Sequence, residues 1–398
     1  MQQLPTRSEV LDALFAAWTP EEKTETIPTA QALGRVLARD HFARYSLPVV
    51  RASAMDGVAV DSSRFANGTP DTSAWVLGQD FCRADTGDDF DDRFDAVIPI
   101  EEVSLVGGRL TLAPGAAVRP GQNVRPAGST LQKGALVGQQ GRRLRSFDLA
   151  ALAMGGAAEV EVWQKPRVAF LPTGSELVPL GQAPLRGQNI DSNSVLAANL
   201  LREMGAEPLC FPIAADSKAG LVAALDRALA EADIVLLNGG SSKGEEDFNA
   251  RLLEERGQVL FHWVAAAPGK PLCVAMIGGK PVIDLPGPPL AVLYGMDWCV
   301  RAMVCRMLRL PFPRRQTIAG KLTEPIAAPP SMEILCMMDV QKTAGGYNVK
   351  QKPWRGGSMA DSLTAGAFYT TELGTARKEA GETIEVTLLR GAEDFDHA

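Results

Sequence analysis

The chain has 398 residues, 46% of them hydrophobic and 22% charged, and carries a net charge of −7. This is the composition of an ordinary globular protein long enough for several cores, and its acidity excludes a broad nucleic-acid or anionic-membrane surface. Six cysteines without a CxxC pair and only three histidines exclude zinc sites of the Cys/His kind, and the cysteines are expected reduced in cores. The opening MQQLPTRSEVLDALF has no basic start followed by an apolar stretch, and PLAVLYGMDWCVRAMVCRML is interrupted by Asp297 and Arg301. Neither a secretory signal nor a membrane span is expected, and a reducing cytoplasm is the expected compartment.

Residues 7–40 predict two helices. Ser8 would cap the first, with Val10, Leu11, Leu14 and Phe15 on one face; Ala30, Leu33, Val36 and Leu37 would line the second. From 46 to about 140 the texture turns to short β-like pieces such as VAVDSS, AVIPIEEV and RLTLA between Gly, Pro and Asp, which predicts an all-β insertion. SFDLAALAMGGA at 146–157 returns to helix with a Gly-Gly stop, and AEVEVW follows as a strand. From 166 onward strand, loop and helix alternate: RVAFLP, SNSVLAANLLREMG, EPLCFPI, KAGLVAALDRALAEA, DIVLLN, EEDFNARLLEER. Such alternation predicts a parallel sheet wound with helices. QVLFHWV, LCVAMI and PVIDLP extend it before a helix over 289–309, and 316–390 reads as a small all-β domain.

In open α/β sheets, ligands bind outside the carboxyl ends of the strands. Three loops leave such ends: PTGSEL at 172–177, NGGSSKGEED at 238–247 and LPGPP at 285–289. Thr173, Gly174 and Ser175 in the first, and Gly239, Gly240, Ser241 and Ser242 in the second, would offer backbone N–H groups to an anion at a helix N-terminus. Each alone reads as a tight capped turn; three on one sheet edge point to a site. The second loop has the outer glycine spacing of a P-loop, but Glu245 and Glu246 stand where Lys and Ser/Thr are required. Carboxylates repel phosphates unless Mg²⁺ lies between them, which makes Glu176 and Asp247 candidate metal ligands. Glu245 and Glu246 read as first-turn acids favoured by the helix dipole. Asp56 in SAMDGVAV reads as a turn acid, and DFCRADTGDDFDDRFD at 80–95 as a solvated acidic loop.

In order along nearly the whole chain, SAMDGVAV, the Thr86-Gly87 step, GQNVRPAG, PTGSELV, GQNIDSN, GGSSKGEED, PGKP and LPGPP resemble the molybdopterin molybdenumtransferases, bacterial MoeA and the E domain of gephyrin. The resemblance implies a multidomain α/β plus β protein: an elongated helical domain (1–45 and 141–165), a β insertion domain (46–140), a MoaB/Mog-like molybdopterin-binding α/β domain with a parallel sheet (166–312) and a C-terminal β-barrel (313–398). It implies insertion of molybdate into adenylylated molybdopterin with release of AMP, aided by Mg²⁺, in a homodimer whose site is shared between subunits. Asp56, Thr86, Glu176, Asp216, Asp247, Pro286 and Pro289 match functional positions of the family, with Asp56 reaching the partner's site; Lys270 of PGKP would bring positive charge to the substrate. Its partners would be small molecules, a second copy, and a molybdoenzyme client or another cofactor-biosynthesis protein.

The chain departs from that pattern chiefly where the family is cationic or polar. Thr130 stands for an aspartate, Trp263 and Ala267 for two lysines, Pro288 for an asparagine, and Ser331 and Cys336 for arginines; GGSMADSL at 356–363 has its serine shifted or lost. Lys243 adds a cation where the family tends to be apolar. These changes motivate an alternative: a non-catalytic relative that holds molybdopterin or finished cofactor for a client.

Overall fold

The computed structural model describes residues 3–214, 217–239, 248–353 and 358–395. The chain divides into two compact units, Met1–Lys23 with Trp163–Ala398, and Thr24–Val162.

The first unit opens with α1 (Arg7–Ala17). Its cap is Thr6 rather than Ser8: Thr6 accepts from the Glu9 amide while the Glu9 carboxylate reaches back to the Thr6 amide. Arg7 grips Glu333 with two hydrogen bonds of 2.8 and 2.7 Å. A six-stranded sheet follows, made of β1 (Arg167–Pro172), β2 (Glu207–Cys210), β3 (Ile234–Asn238), β4 (Gln258–His262), β5 (Cys273–Ile277) and β6 (Lys280–Leu285) in the order β2-β1-β3-β6-β5-β4. The first four in that order are parallel, as the alternation predicts; β5 and β4 are added antiparallel. The β5–β6 connection is the pair Gly278-Gly279 with φ of +56° and +78°, which is the two-residue turn that matches sheet twist.

Helices α2 (Asn193–Met204), α3 (Lys218–Glu231), α4 (Phe248–Arg256) and α5 cover the sheet. In α5, Pro289–Gly295 and Arg301–Met307 are joined by a π-helical turn, Met296–Val300. Every residue of β3 is buried. Its Val235 and Leu237 pack with Leu221, Leu225, Leu252 and Leu253 on one face, so the strand reads as a continuous apolar run. Downstream, Glu333–Thr343, Gly346–Gln351, Thr317–Leu322, Thr383–Leu388 and Ala367–Thr370 pair in that order, and the last returns to the first. The result is a closed five-stranded barrel without edges.

In the second unit the expected helix over 30–37 does not form. Thr24–Pro28 is a strand paired with Glu159–Trp163, followed by a 3-10 turn, Thr29–Gln31. Only half of the expected apolar face is buried: Val36 and Leu37 are, with Leu37 packing on Leu144, Leu152 and Val160, whereas Ala30 and Leu33 are exposed. Gly34 decides the outcome: its φ of +75° breaks the helical path, and its N–H goes to the Leu144 carbonyl. The helix Ser146–Met154 and its Gly155-Gly156 stop form as predicted. In the β insertion, Gly57–Val60 lies between Phe81–Ala84 and Ala96–Pro99.

The acidic run 80–95 is stitched rather than loosely solvated. Phe90 and Phe94 are buried, and Arg51 stacks on Phe90 at 4.7 Å while donating to the carbonyls of Asp91 and Phe94. All six cysteines are free; four are buried, Cys82 is half-buried and Cys210 is exposed. Among the described residues no helix is long and apolar enough to cross a membrane.

Candidate functional site

The strand ends of β1, β3 and β6 meet at one place in the first unit. The Thr173 N–H donates to the Asn238 carbonyl at 2.8 Å, and the Gly239 N–H to the Leu285 carbonyl at 3.3 Å. The pairing thus continues one residue past each strand, bringing the loop starts into contact. Glycine is required at both first steps. A Cβ on Gly239 (φ +122°) would lie 2.2 Å from the Thr173 carbonyl oxygen; one on Gly174 (φ +145°) would lie 2.6 Å from a Glu176 carboxylate oxygen.

The expected helix N-terminus after Ser175 is absent. Leu177–Val178 instead pairs with Asn189–Ile190, and α2 begins only at Asn193. The donors of this loop therefore belong to a turn. Thr173 spends its N–H on Asn238, whereas those of Gly174 and Ser175 make no hydrogen bond among the described residues.

Beneath these loops lies a set of amides that the sequence reading missed. Asn238, 2% exposed, donates through Nδ2 to the carbonyls of Leu285 and Pro286, both at 3.1 Å. Asn193 Nδ2 reaches Asn238 Oδ1 at 2.9 Å and the Gly287 carbonyl at 2.7 Å. Asn249, at the start of α4, holds the Gly239 carbonyl at 2.7 Å and the buried Asp284 carboxylate at 3.0 Å. Their signals were one Asn ending the apolar DIVLLN, one Asp inside PVIDLP and the Asn193 that closes GQNIDSN, none of which by itself marks a floor. Buried amides of this kind hold loop backbones in one geometry because any alternative leaves a polar group unpaired.

Above this floor opens a cleft of about 510 Å³, lined by Thr173, Glu176, Asn189, Asn193, Gly239, Pro289 and others. Met359, from the helical turn Met359–Leu363 in the C-terminal part, also lines it and was not foreseen. Pro289 faces the cleft, whereas Pro286 is buried below it and contributes its carbonyl to Asn238. Lys270 is not among the lining residues; its ammonium lies 5.1 Å from the Trp263 ring centre. Trp263, held at φ +79° and exposed, thus occupies that lysine as a cation–π partner. Asp216, Gly240, Ser241, Ser242, Lys243, Glu245, Glu246 and Asp247 lie outside the described residues.

Asp56 and Thr86 meet in the second unit, where the Thr86 N–H donates to Asp56 Oδ1 at 2.7 Å. That backbone hydrogen bond holds the exposed Asp56 carboxyl below the usual carboxylate range. The two loops are zipped together: Gly87 N–H donates to the Ser53 carbonyl, and Ser53 N–H to that of Asp88, both at 2.9 Å. Of the departures from the family pattern, Ser331 and Thr130 are exposed, while Cys336 is fully buried in a barrel strand, where burial pushes its thiol up to about 12.

The cleft's oxygen donors, the Glu176 carboxylate, Thr173 Oγ1 and an Asn193 Oδ1 with no partner among the described residues, are hard ligands of the kind Mg²⁺ takes. Among the described residues no cluster of three or more His, Cys, Asp or Glu surrounds them. These donors fit a Mg²⁺ that also takes phosphate oxygens and water.

Residues 6–156 match the family described as "MoeA N-terminal region (domain I and II)", and residues 169–305 match "Probable molybdopterin binding domain". A molybdopterin molybdenumtransferase of Haemophilus influenzae is 32% identical over 298 residues, 72% of this chain and 73% of the relative. Molybdopterin molybdenumtransferase 2 of Mycobacterium tuberculosis is 31% identical over 328 residues, 76% and 80% of the two chains. The solved structure of a molybdopterin biosynthesis MoeA protein from Pyrococcus horikoshii superposes with a TM-score of 0.81 at 26% identity, over 98% of this chain and all of that one.

Proposed function

The chain belongs to the molybdopterin molybdenumtransferase (MoeA) family, and we propose that it inserts molybdate into adenylylated molybdopterin with release of AMP. The observation that carries the reading is the cleft at the strand ends, which Thr173 and Glu176 line; between them in the chain, the N–H groups of Gly174 and Ser175 make no hydrogen bond among the described residues. An anion-accepting turn beside a carboxylate suits a substrate whose phosphates arrive with a divalent cation. Glu176, with Asp247 as the second candidate, would hold Mg²⁺, which supplies charge neutralisation at the pyrophosphate. The Gly174 and Ser175 amides would bind phosphate oxygens, and Asn193 Oδ1 would accept from an N–H of the pterin. Asp56, prepared as a carboxylate by Thr86, would act in a second copy's cleft in a homodimer, and Lys270 would present its charge to substrate from the Trp263 face. The four-part division at 45, 140, 165 and 312, and a cytoplasmic location, belong to the same proposal.

A second reading, a cofactor-holding relative without turnover, is favoured by one observation: Trp263 stands at one expected lysine position and stacks on Lys270. One experiment separates the two. Pure protein incubated with adenylylated molybdopterin, Mg²⁺ and molybdate is expected to release AMP and yield cofactor that reconstitutes a molybdoenzyme. Tight pterin binding without AMP release would sink the transferase reading. Lys243→Ala is expected to raise the molybdate requirement; an unchanged requirement removes any role for Lys243 in replacing the missing lysines.

A further inference from the structure

A second cleft of the first unit, of about 300 Å³, shares no lining residue with the one around Glu176. It lies where α5 and the linker after it meet the barrel. Leu293 of α5 and Leu335, Met337 and Phe368 of the barrel form its apolar wall. Its polar end is built from Asp297 and Arg301 of α5 and Arg315 of the linker.

The two arginines converge on a single carboxylate oxygen. Arg301 Nε donates to Asp297 Oδ1 at 3.2 Å, and Arg315 Nη2 donates to the same oxygen. A guanidinium carries five N–H donors in a fixed fork. Here each spends one, and among the described residues neither makes another hydrogen bond or ion pair. Both side chains are well shielded, at 13% and 24% exposure, and Arg315 lies 5.3 Å from the Phe368 ring centre, which fixes its plane. A structural clamp between helix and linker needs one arginine per carboxylate. A second arginine on the same oxygen leaves one guanidinium without a carboxylate of its own and leaves unspent donors beside an apolar wall. Glu203 reaches the cleft from α2, but it is exposed and makes no ion pair with either arginine.

We propose that this cleft binds a small amphipathic carboxylate, its anionic end on Arg301 and Arg315 and its apolar body against Phe368 and Met337. Arg–carboxylate forks supply the specificity and the apolar wall supplies the burial. Such a ligand would tie the barrel to α5, and the C-terminal part that carries the barrel also lends Met359 to the substrate cleft.

The test uses full-length protein titrated calorimetrically with 4-phenylbutyrate, 4-phenylbutylamine, 4-phenylbutan-1-ol and inorganic phosphate. Saturable one-site binding is expected for the carboxylate, at least about 10-fold tighter than for the amine, the alcohol or phosphate. R301M and R315M should each weaken it roughly 10-fold, while R315K, which keeps the charge but loses the fork, should weaken it less than R315M. E176Q should leave it unchanged, which separates this site from the substrate cleft. The proposal is overturned by an absence of saturable carboxylate binding, by equal binding of the amine or alcohol, or by equal binding of phosphate. Unaltered affinity in R315M, with its melting temperature preserved, overturns it too.

Discussion

The floor of the cleft around Glu176 and the Asp56 loops are both clusters of glycine, asparagine or aspartate and backbone N–H groups, yet they are held by opposite means. At the cleft, Asn193, Asn238, Asn249 and Asp284 pair one another and the loop carbonyls, and three of the four are buried. Around Asp56 the same work is done by exposed carboxylates: Asp56 on the Thr86 amide, and Asp91 on Arg93 at 2.8 Å. A buried, mostly amide network fixes geometry with little dependence on salt, because water cannot replace its partners. An exposed carboxylate network fixes it only while ionised and is screened by salt. The first suits a place where atoms must be held for chemistry; the second suits a surface that offers one charge to another molecule.

The largest effect is expected from Gly239→Ala, which forces a methyl to 2.2 Å from the Thr173 carbonyl at a φ of +122°. AMP release should fall by about 100-fold or more, because loops that set reacting distances tolerate little displacement. Near-wild-type turnover would show that the contact between the loops is dispensable. Next, Asn238→Ala removes three hydrogen bonds from a buried site and should lower unfolding stability by about 2–4 kcal/mol, read by urea denaturation. A loss no larger than that of a surface alanine would erase the contrast between the two regions.

Glu176→Gln removes the cleft's described carboxylate while keeping its shape. AMP release should drop roughly 100-fold and recover in part at raised Mg²⁺, with melting temperature unchanged. Activity independent of this change would remove Glu176 from the proposed metal site. Asp56→Asn should lower turnover by about 10-fold at unchanged melting temperature, since its side chain is exposed. The smallest effect is expected at Asp91, whose hydrogen bond to Arg93 lowers its carboxyl from 3.8 to about 2. A lowered carboxyl stabilises the fold fully above its ordinary value and loses that contribution as pH falls towards 2. Asp91→Asn should therefore flatten the dependence of melting temperature on pH between about 4 and 2, and added salt should mimic part of the change.

The strands and helices of the α/β sheet were legible because their apolar spacing and their Gly stops agree along each segment. The helix expected over 30–37 failed where Gly34 takes a φ of +75°, and of the residues expected on its apolar face only Val36 and Leu37 are buried. At the site, the loops could be placed from strand ends alone, and so could the glycines that let them touch. The amides of the floor could not, since a single Asn in an apolar strand gives the same signal as a turn. Trp263 over Lys270 was hidden for a different reason: the two stand seven positions apart, and sequence spacing says nothing of a ring stacked on a lysine.

The grip of Arg7 on Glu333 joins residues 326 apart. On a ribosome adding roughly 5–20 residues per second, α1 emerges and then waits roughly 15–65 s for its partner carboxylate to be made. During that interval the whole of Thr24–Val162 is synthesised with its own core to collapse upon. The first helix made thus meets its partners late: the Ala265 N–H that reaches Pro5, the Arg306 that reaches Phe15 and finally Glu333 all follow Thr24–Val162, and a chain cut short before Glu333 lacks the grip on Arg7.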